Sequence, residues 1–310
     1  MNKRKIIVVL MMAVALGIAG MLIYYLEMQN AGTETTSGIA DDGNKENVDE
    51  IMFEGKKYRY DYGLRNVLFL GIDNEEPFEK KEAGQGGQSD TILLFCMNPS
   101  KKTIQMIEIP RDTMTKIKVY DKEGDFLAED TAQIALQYAY GDGEERSCRL
   151  MEEAVSYLMY DIPINAYVAL NMDGIEEIVD GIGGVEVDGK LLNGKEAQNF
   201  VQARDKEATG SNLERMKNQK AFILAFFEKL KDSGAEDKSI YKTLFDTAKD
   251  QLITNISTKE MEKFAEYELL EESQVIPGEM KAGEDHDEFY TDNKELQKII
   301  INMFYKEVEM

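Results

Sequence analysis

The chain has one histidine, two cysteines and far too few basic residues to balance its acidic ones. A lone histidine, His286, excludes histidine-based triads and zinc clusters. It sits in the acidic loop Glu284-Asp285-His286-Asp287-Glu288, where a solvated side chain is the simple expectation. Cys96 falls in an apolar strand and Cys148 near a helix start. They could form one bridge outside a cell, but two buried thiols are the expected state. With 36 Lys and Arg against 59 Asp and Glu, the formal charge is −23. A phosphate backbone demands a basic face, so no nucleic acid partner is expected.

What is present begins at the N-terminus. Lys3, Arg4 and Lys5 precede an apolar run, Ile6–Leu26, with no charge before Glu27. At helical rise this run is long enough to span a bilayer. The basic cluster stays cytoplasmic, which puts the rest of the chain outside. A cleaved secretory signal is the alternative, but no small-x-small site follows the run cleanly. The expected division is a cytoplasmic tail (1–5), a transmembrane anchor (6–26), an extracytoplasmic linker (27–50) and one domain (51–310). The linker is rich in Thr, Gly, Asp, Asn and Glu and has little to bury; the domain is long enough for a substantial core.

Within the domain, short apolar runs alternate with helical periodicity. Val67–Leu70, ending in Gly71-Ile72-Asp73, is expected as a strand buried on both faces. So are Ile92–Phe95, entered from Gln88-Ser89-Asp90-Thr91, and Thr103–Ile109. Lys116–Tyr120 is a fourth strand, closed by the turn Asp121–Asp125. Helices are expected over Thr131–Tyr140 and Glu144–Met159, the second with a stripe at Leu150/Met151, Ala154/Val155 and Leu158/Met159. A strand, Ile164–Leu170, leads into a short helix capped by Asp173. Gly181-Ile182-Gly183-Gly184 runs into a strand and lacks the spacing of a phosphate loop, so it reads as a tight turn. Further helices are expected at Gly194–Ala203, Leu213–Leu230, Ile240–Leu252, Thr258–Glu268 and Asp292–Lys306, the second using Leu213, Met216, Ile223, Phe227 and Leu230 as its core stripe. The order of elements defines a mixed α/β layered domain.

Polar groups collect at the ends of these elements. Glu108-Ile109-Pro110-Arg111-Asp112-Thr113 leaves a strand with a cation beside a carboxylate, and Pro110 restricts both its own φ and that of Ile109. Alone, such a pair is more often a structural salt bridge. Asp73 ends the first strand and Asp90 opens the second. Arg204 ends a helix, and Arg215 and Gln219 lie in the first turns of the next. Strand ends are where α/β proteins gather binding groups. Two carboxylates with several arginines suit a phosphate ligand and a divalent cation, since guanidinium forks grip phosphate and hard oxygens suit Mg²⁺. The chemistry indicated is phosphoryl transfer by positioning and charge neutralisation.

Several stretches carry a family resemblance, in order, over about residues 66–220. They are Asn66–Asp73 (NVLFLGID), Ser89–Leu94 (SDTILL), Ile109–Thr113 (IPRDT), Ala139–Gly143 (AYGDG), Val179–Val187 (VDGIGGVEV) and Leu192–Arg204 (LNGKEAQNFVQAR). With these motifs the chain resembles the LytR-CpsA-Psr family, the membrane-anchored phosphotransferases of mainly Gram-positive envelopes. The resemblance implies an α/β/α sandwich, a central mixed β-sheet flanked by helices, with an apolar tunnel for a polyprenyl tail. It implies transfer of a glycopolymer from a polyprenyl-pyrophosphate carrier to peptidoglycan, with Mg²⁺ as cofactor. Asp73 and Asp90 match the family's acidic positions, expected to hold the metal or activate the acceptor hydroxyl. Arg111, Arg204 and Arg215 match its pyrophosphate-binding arginines and Gln219 a polar residue of the same pocket, so Asp73, Asp90 and Arg111 are the expected catalytic set. The chain departs from the pattern at Gln88, Gln202 and Asn218, where the family has arginine. Amides still donate to phosphate, but without charge or a rigid fork. The alternative implied is a weakly active or non-catalytic polyprenyl-phosphate-binding protein that regulates the envelope.

Overall fold

The computed structural model describes residues 50–74, 77–203, 211–256, 267–283 and 286–309. The anchor expected at 6–26, the tail before it and all of the linker but Glu50 lie outside the described residues. Among those described, no helix is long and apolar enough to cross a membrane.

Two short strands, β1 (Glu50–Phe53) and β2 (Lys56–Tyr60), come first. The chain then forms the centre of its main sheet with β3 (Arg65–Asp73), β4 (Gln88–Asn98) and β5 (Thr103–Glu108). A hairpin of β6 (Met114–Tyr120) and β7 (Phe126–Gln133), a 3-10 helix (Ile134–Tyr140) and α1 (Glu145–Leu158) lead to β8 (Ala166–Asn171). Next are α2 (Gly174–Gly181), β9 (Val185–Val187), β10 (Lys190–Leu192), α3 (Gly194–Gln202), the long α4 (Ser211–Glu236) and α5 (Ser239–Ala248). The remainder is β11 (Leu252–Thr254), β12 (Glu268–Leu269), β13 (Gln274–Val275), β14 (Gly278–Ala282), β15 (Asp287–Thr291), α6 (Asn293–Phe304) and β16 (Tyr305–Val308).

The main sheet has seven strands in the order β11-β8-β3-β4-β5-β12, with β13 also on β5. It is mixed: β3 runs parallel to β8 and antiparallel to β4, and β5 is antiparallel to β4 but parallel to β12 and β13. Its central strands are apolar on both faces, as their uninterrupted hydrophobic runs require. Val67, Leu93, Phe95 and Val168 bury against Ile178, Ala197 and Phe226 of α2, α3 and α4. The alternate residues Leu68, Leu70, Ile92, Leu94 and Ala169 bury against Tyr138 of the 3-10 helix, Met151 and Val155 of α1, and Phe304 of α6. Helices therefore cover both faces, giving the α/β/α sandwich.

Some elements differ from expectation. Thr131 to Gln133 belong to β7, because Thr131 pairs with Lys116 and Gln133 with Met114; the helix expected there starts only at Ile134, as a 3-10 turn. Asp173 precedes α2 but makes no capping hydrogen bond, its carboxylate accepting instead from Gln198 Nε2 at 2.6 Å. Ala248 ends α5, where a 3-10 turn, Lys249–Gln251, leads into β11. Lys306 lies in β16 rather than in α6. Glu268 is in a strand, and residues 258–266 of the helix expected before it lie outside the described residues. The glycine turn is as expected: Gly183 and Gly184 have φ of 77° and 95°, open to glycine at little cost. Cys96 and Cys148 are both buried free thiols, and His286 is exposed.

Candidate active site

The site forms where β3 ends, β4 begins and β5 turns away. β3 and β4 pair in step as far as Gly71 and Thr91, then resume at Ile72 and Ser89. Asp90 is thus the extra residue of a β-bulge, a device that re-aims a side chain. Across the sheet, the Ile109 N–H extends the pairing of β5 by donating to the Ile92 carbonyl at 3.0 Å. A tight turn follows, closed by the Thr113 N–H on the Pro110 carbonyl at 3.0 Å and by Thr113 Oγ1 on the same oxygen at 2.6 Å. That turn presents Arg111 to Asp90.

Asp90 is held between two guanidiniums. Arg111 donates through Nη1 to Asp90 Oδ1 and through Nη2 to Gln88 Oε1. From the other side Arg215 donates through Nη1 to Asp90 Oδ2 at 2.5 Å and through Nη2 to the Asp90 carbonyl at 3.4 Å. Arg215 is only 4% exposed, so it is a buried group and not a surface one. A pair of desolvated cations sharing one carboxylate keeps both forks fixed and close together.

A second carboxylate, Asp112, lies behind Arg111. It accepts from Asn212 Nδ2 at 2.6 Å and from Gln133 Nε2 at 2.9 Å, with Arg111 Nε at 3.6 Å. Burial pushes its carboxyl above the usual carboxylate range; the Asn212 hydrogen bond and the Arg111 charge pull the other way. Asp73 is different. It is exposed at the end of β3, opposite Gln88 in the ladder, and its carboxylate makes no hydrogen bond or ion pair among the described residues.

Behind the cluster is an apolar cavity of about 60 Å³. Its floor is the sheet (Phe69, Gly71, Thr91, Phe95) and its roof is α4 (Gln219, Phe222, Ile223, Phe226). Gly71 is required here, since a Cβ would come within 2.9 Å of the Thr91 side chain and 3.1 Å of Met172 Sδ.

The predicted site residues thus separate. Asp73, Gln88, Asp90, Arg111 and Arg215 come together. Gln219 lines the cavity below them and turns its amide to the Val201 carbonyl at 3.4 Å. Gln202 is exposed at the last position of α3, and nothing described joins it to the cluster. Arg204 lies outside the described residues. Asn218, at a position where the family has arginine, donates to the Ala203 carbonyl at 3.4 Å and ties α4 to the end of α3. Sequence reasoning missed Asn212 and Gln133, which carry no motif. Of the expected α4 stripe, Phe227 and Leu230 are buried, but its first turns lie off register: the buried face there runs Asn212, Arg215, Gln219, Phe222, Phe226, while Leu213, Met216 and Ile223 are half-buried. Helical spacing from Arg215 to Gln219 to Phe222 was the available signal. Among the described residues no three His, Cys, Asp or Glu side chains are grouped to hold a metal ion.

Fold and site together define a class: an α/β/α domain that sets a cluster of guanidiniums and carboxylates at its strand ends, with an apolar cavity directly behind. The chain belongs to the LytR_cpsA_psr family, whose sequence model matches residues 22–191 and 189–303. It is 27% identical over 273 residues to the polyisoprenyl-teichoic acid–peptidoglycan teichoic acid transferase TagV of Bacillus subtilis, covering 81% of this chain and 63% of that protein. It is 25% identical to the transferase TagU of Bacillus licheniformis, covering 90% of this chain and 87% of that one. The chain spans between 54% and 64% of the length of the first four curated relatives it matches. Among solved structures, protein gbs0355 of Streptococcus agalactiae superposes with a TM-score of 0.62 at 21% identity, over 77% of this chain and 86% of that one. At that identity the likeness is one of fold.

Proposed function

We propose that this chain is an extracytoplasmic phosphotransferase, anchored by its N-terminal apolar run, that moves a glycopolymer from a polyprenyl-pyrophosphate carrier to peptidoglycan. The observation that carries this reading is the buried face of α4, which passes from Arg215 at the cluster through Gln219 to Phe222 and Phe226 on the cavity. Cation, amide and hydrocarbon follow one another as pyrophosphate and tail do in such a carrier. The names of the relatives, transferases acting between a polyisoprenyl-linked polymer and peptidoglycan, support the same class of donor and acceptor.

In this reaction an acceptor hydroxyl oxygen attacks the phosphorus bonded to the glycan. The new P–O bond forms as the bond from that phosphorus to the bridging oxygen breaks, and polyprenyl phosphate leaves. Arg111 and Arg215 stabilise the charge that accumulates on the phosphoryl oxygens. Mg²⁺ belongs to the same proposal. Both oxygens of Asp90 face guanidiniums, whereas Asp73 is open, so Asp73 with donor phosphate oxygens and water would hold the ion. When bound, the ion neutralises phosphate charge. Asp73 would also be placed to take the hydroxyl proton as the new bond forms.

One observation favours a second reading, a lipid-binding protein without turnover: where the family has arginine, Gln88 only accepts from Arg111 and adds no charge. Transfer of a polyprenyl-pyrophosphate glycan to peptidoglycan by the purified full chain separates the two. The first reading predicts turnover that Arg111→Ala lowers by at least about a hundredfold. Lipid binding without turnover for any acceptor supports the second.

A further inference from the structure

We infer that Asp112 is a positioning residue for this site: it fixes the Arg111 guanidinium through Nε and fixes the N-terminus of α4, and so sets where Arg111 and Arg215 together meet the donor's two phosphates. The ligand in this inference rests on the phosphotransferase reading; the placement rests on geometry alone.

Asp112 is 2% exposed and sits at the junction of four elements. It lies in the turn between β5 and β6. Its carboxylate takes the Asn212 amide from the first turn of α4 and the Gln133 amide from the end of β7. The same Gln133 nitrogen donates to the Asp287 carbonyl at 2.8 Å, and the Asp112 carbonyl accepts from the Phe289 N–H of β15 at 2.8 Å. A buried carboxylate is costly, and a neutral Asn here would still accept from Gln133 and could keep a bond to position 212 if the Asn212 amide turned over to present its oxygen. What a neutral group cannot supply is a charge beside Arg111 Nε, a nitrogen that is buried and has no hydrogen-bond partner. The other two nitrogens of that guanidinium donate to Asp90 and Gln88, acceptors with which a bound phosphate would compete. Asp112 then becomes the carboxylate that still orients the fork. Its reach to α4 acts in parallel. Asn212 and Arg215 are three residues apart and share one helix face, so the tether at Asn212 sets how far Arg215 extends toward Asp90.

A purely structural junction would depend on the hydrogen bonds and not on where the charge lies. The pair Asp112→Asn with Asn212→Asp separates the two. It preserves an amide–carboxylate bond between positions 112 and 212 but moves the negative charge onto α4, away from Arg111 Nε. The full chain and this double variant are each titrated with a 20-carbon prenyl pyrophosphate and with the matching monophosphate. The inference expects the double variant to melt within a few degrees of the unaltered chain, above the Asp112→Asn single variant, yet to lose about tenfold of the preference for pyrophosphate over monophosphate, because two phosphates need both forks in register. Equal preference in the double variant and the unaltered chain overturns the inference and leaves the phosphotransferase reading standing. No binding of either prenyl phosphate to the unaltered chain overturns that reading and this inference with it.

Discussion

The two faces of the central sheet come from the same strands but serve different ends. On one, Leu68, Leu70, Ile92 and Leu94 pack at or near zero exposure against the 3-10 helix, α1 and α6. On the other, Phe69, Gly71 and Phe95 look across the apolar cavity to α4. The packed face fixes the strands, and through them the bulge at Asp90 and the turn at Arg111. The other face is also buried but leaves an apolar cavity between the strands and α4. Rigidity on one side thus underwrites accommodation on the other.

Substitutions should sort by face. The largest effect is expected from Leu68→Ala, which removes a fully buried side chain from the packed layer and should cost about 3 kcal/mol in chemical denaturation. Binding of a prenyl pyrophosphate by the folded fraction should be unchanged; a parallel loss of affinity would mean that the faces are coupled. Ile223→Trp fills the cavity from α4. It should leave the melting temperature within a few degrees but weaken prenyl pyrophosphate at least about tenfold, while inorganic pyrophosphate binds as before. Gln88→Arg adds charge at the mouth without touching either layer, and should raise transfer by roughly fivefold. Unaltered turnover there would show that Arg111 and Arg215 already suffice.

The smallest effect belongs to the packed side. Burial lifts the Glu152 carboxyl of α1 from 4.5 to about 7, with the Arg149 charge opposing. The folded value is the raised one, so its stabilising contribution is full below about pH 4.5 and disappears as pH rises through 7. Glu152→Gln should therefore be neutral near pH 4 and stabilise by about 1 kcal/mol at pH 8, or roughly 2–4 °C in melting temperature. A shift that is the same at both pH values would contradict the assignment.

Much of this contrast is legible in the sequence. Strands such as Val67–Leu70 and Ile92–Phe95 announce themselves because a sheet covered on both faces needs unbroken apolar runs. Asp73, Asp90 and Arg111 stand out because strand ends are where α/β chemistry gathers. Other features are hidden for physical reasons. The bulge that turns Asp90 depends on register between β3 and β4, which no local pattern encodes. Asn212 and Gln133 reach Asp112 over long separations and look like ordinary surface amides in the sequence. In α4, periodicity finds Phe227 and Leu230, but the buried face begins with the polar residues Asn212, Arg215 and Gln219, so in the first turns it points to neighbouring apolar residues instead.

The central claim is that one face of α4 joins an anion site to a lipid cavity. Mass spectrometry of lipid extracted from the purified full chain, beside Ile223→Trp prepared in the same way, tests it most directly. The account predicts a prenyl phosphate or pyrophosphate bound to the unaltered chain and absent from the cavity-filled variant. Equal prenyl lipid in both, or none in the unaltered chain, would contradict it.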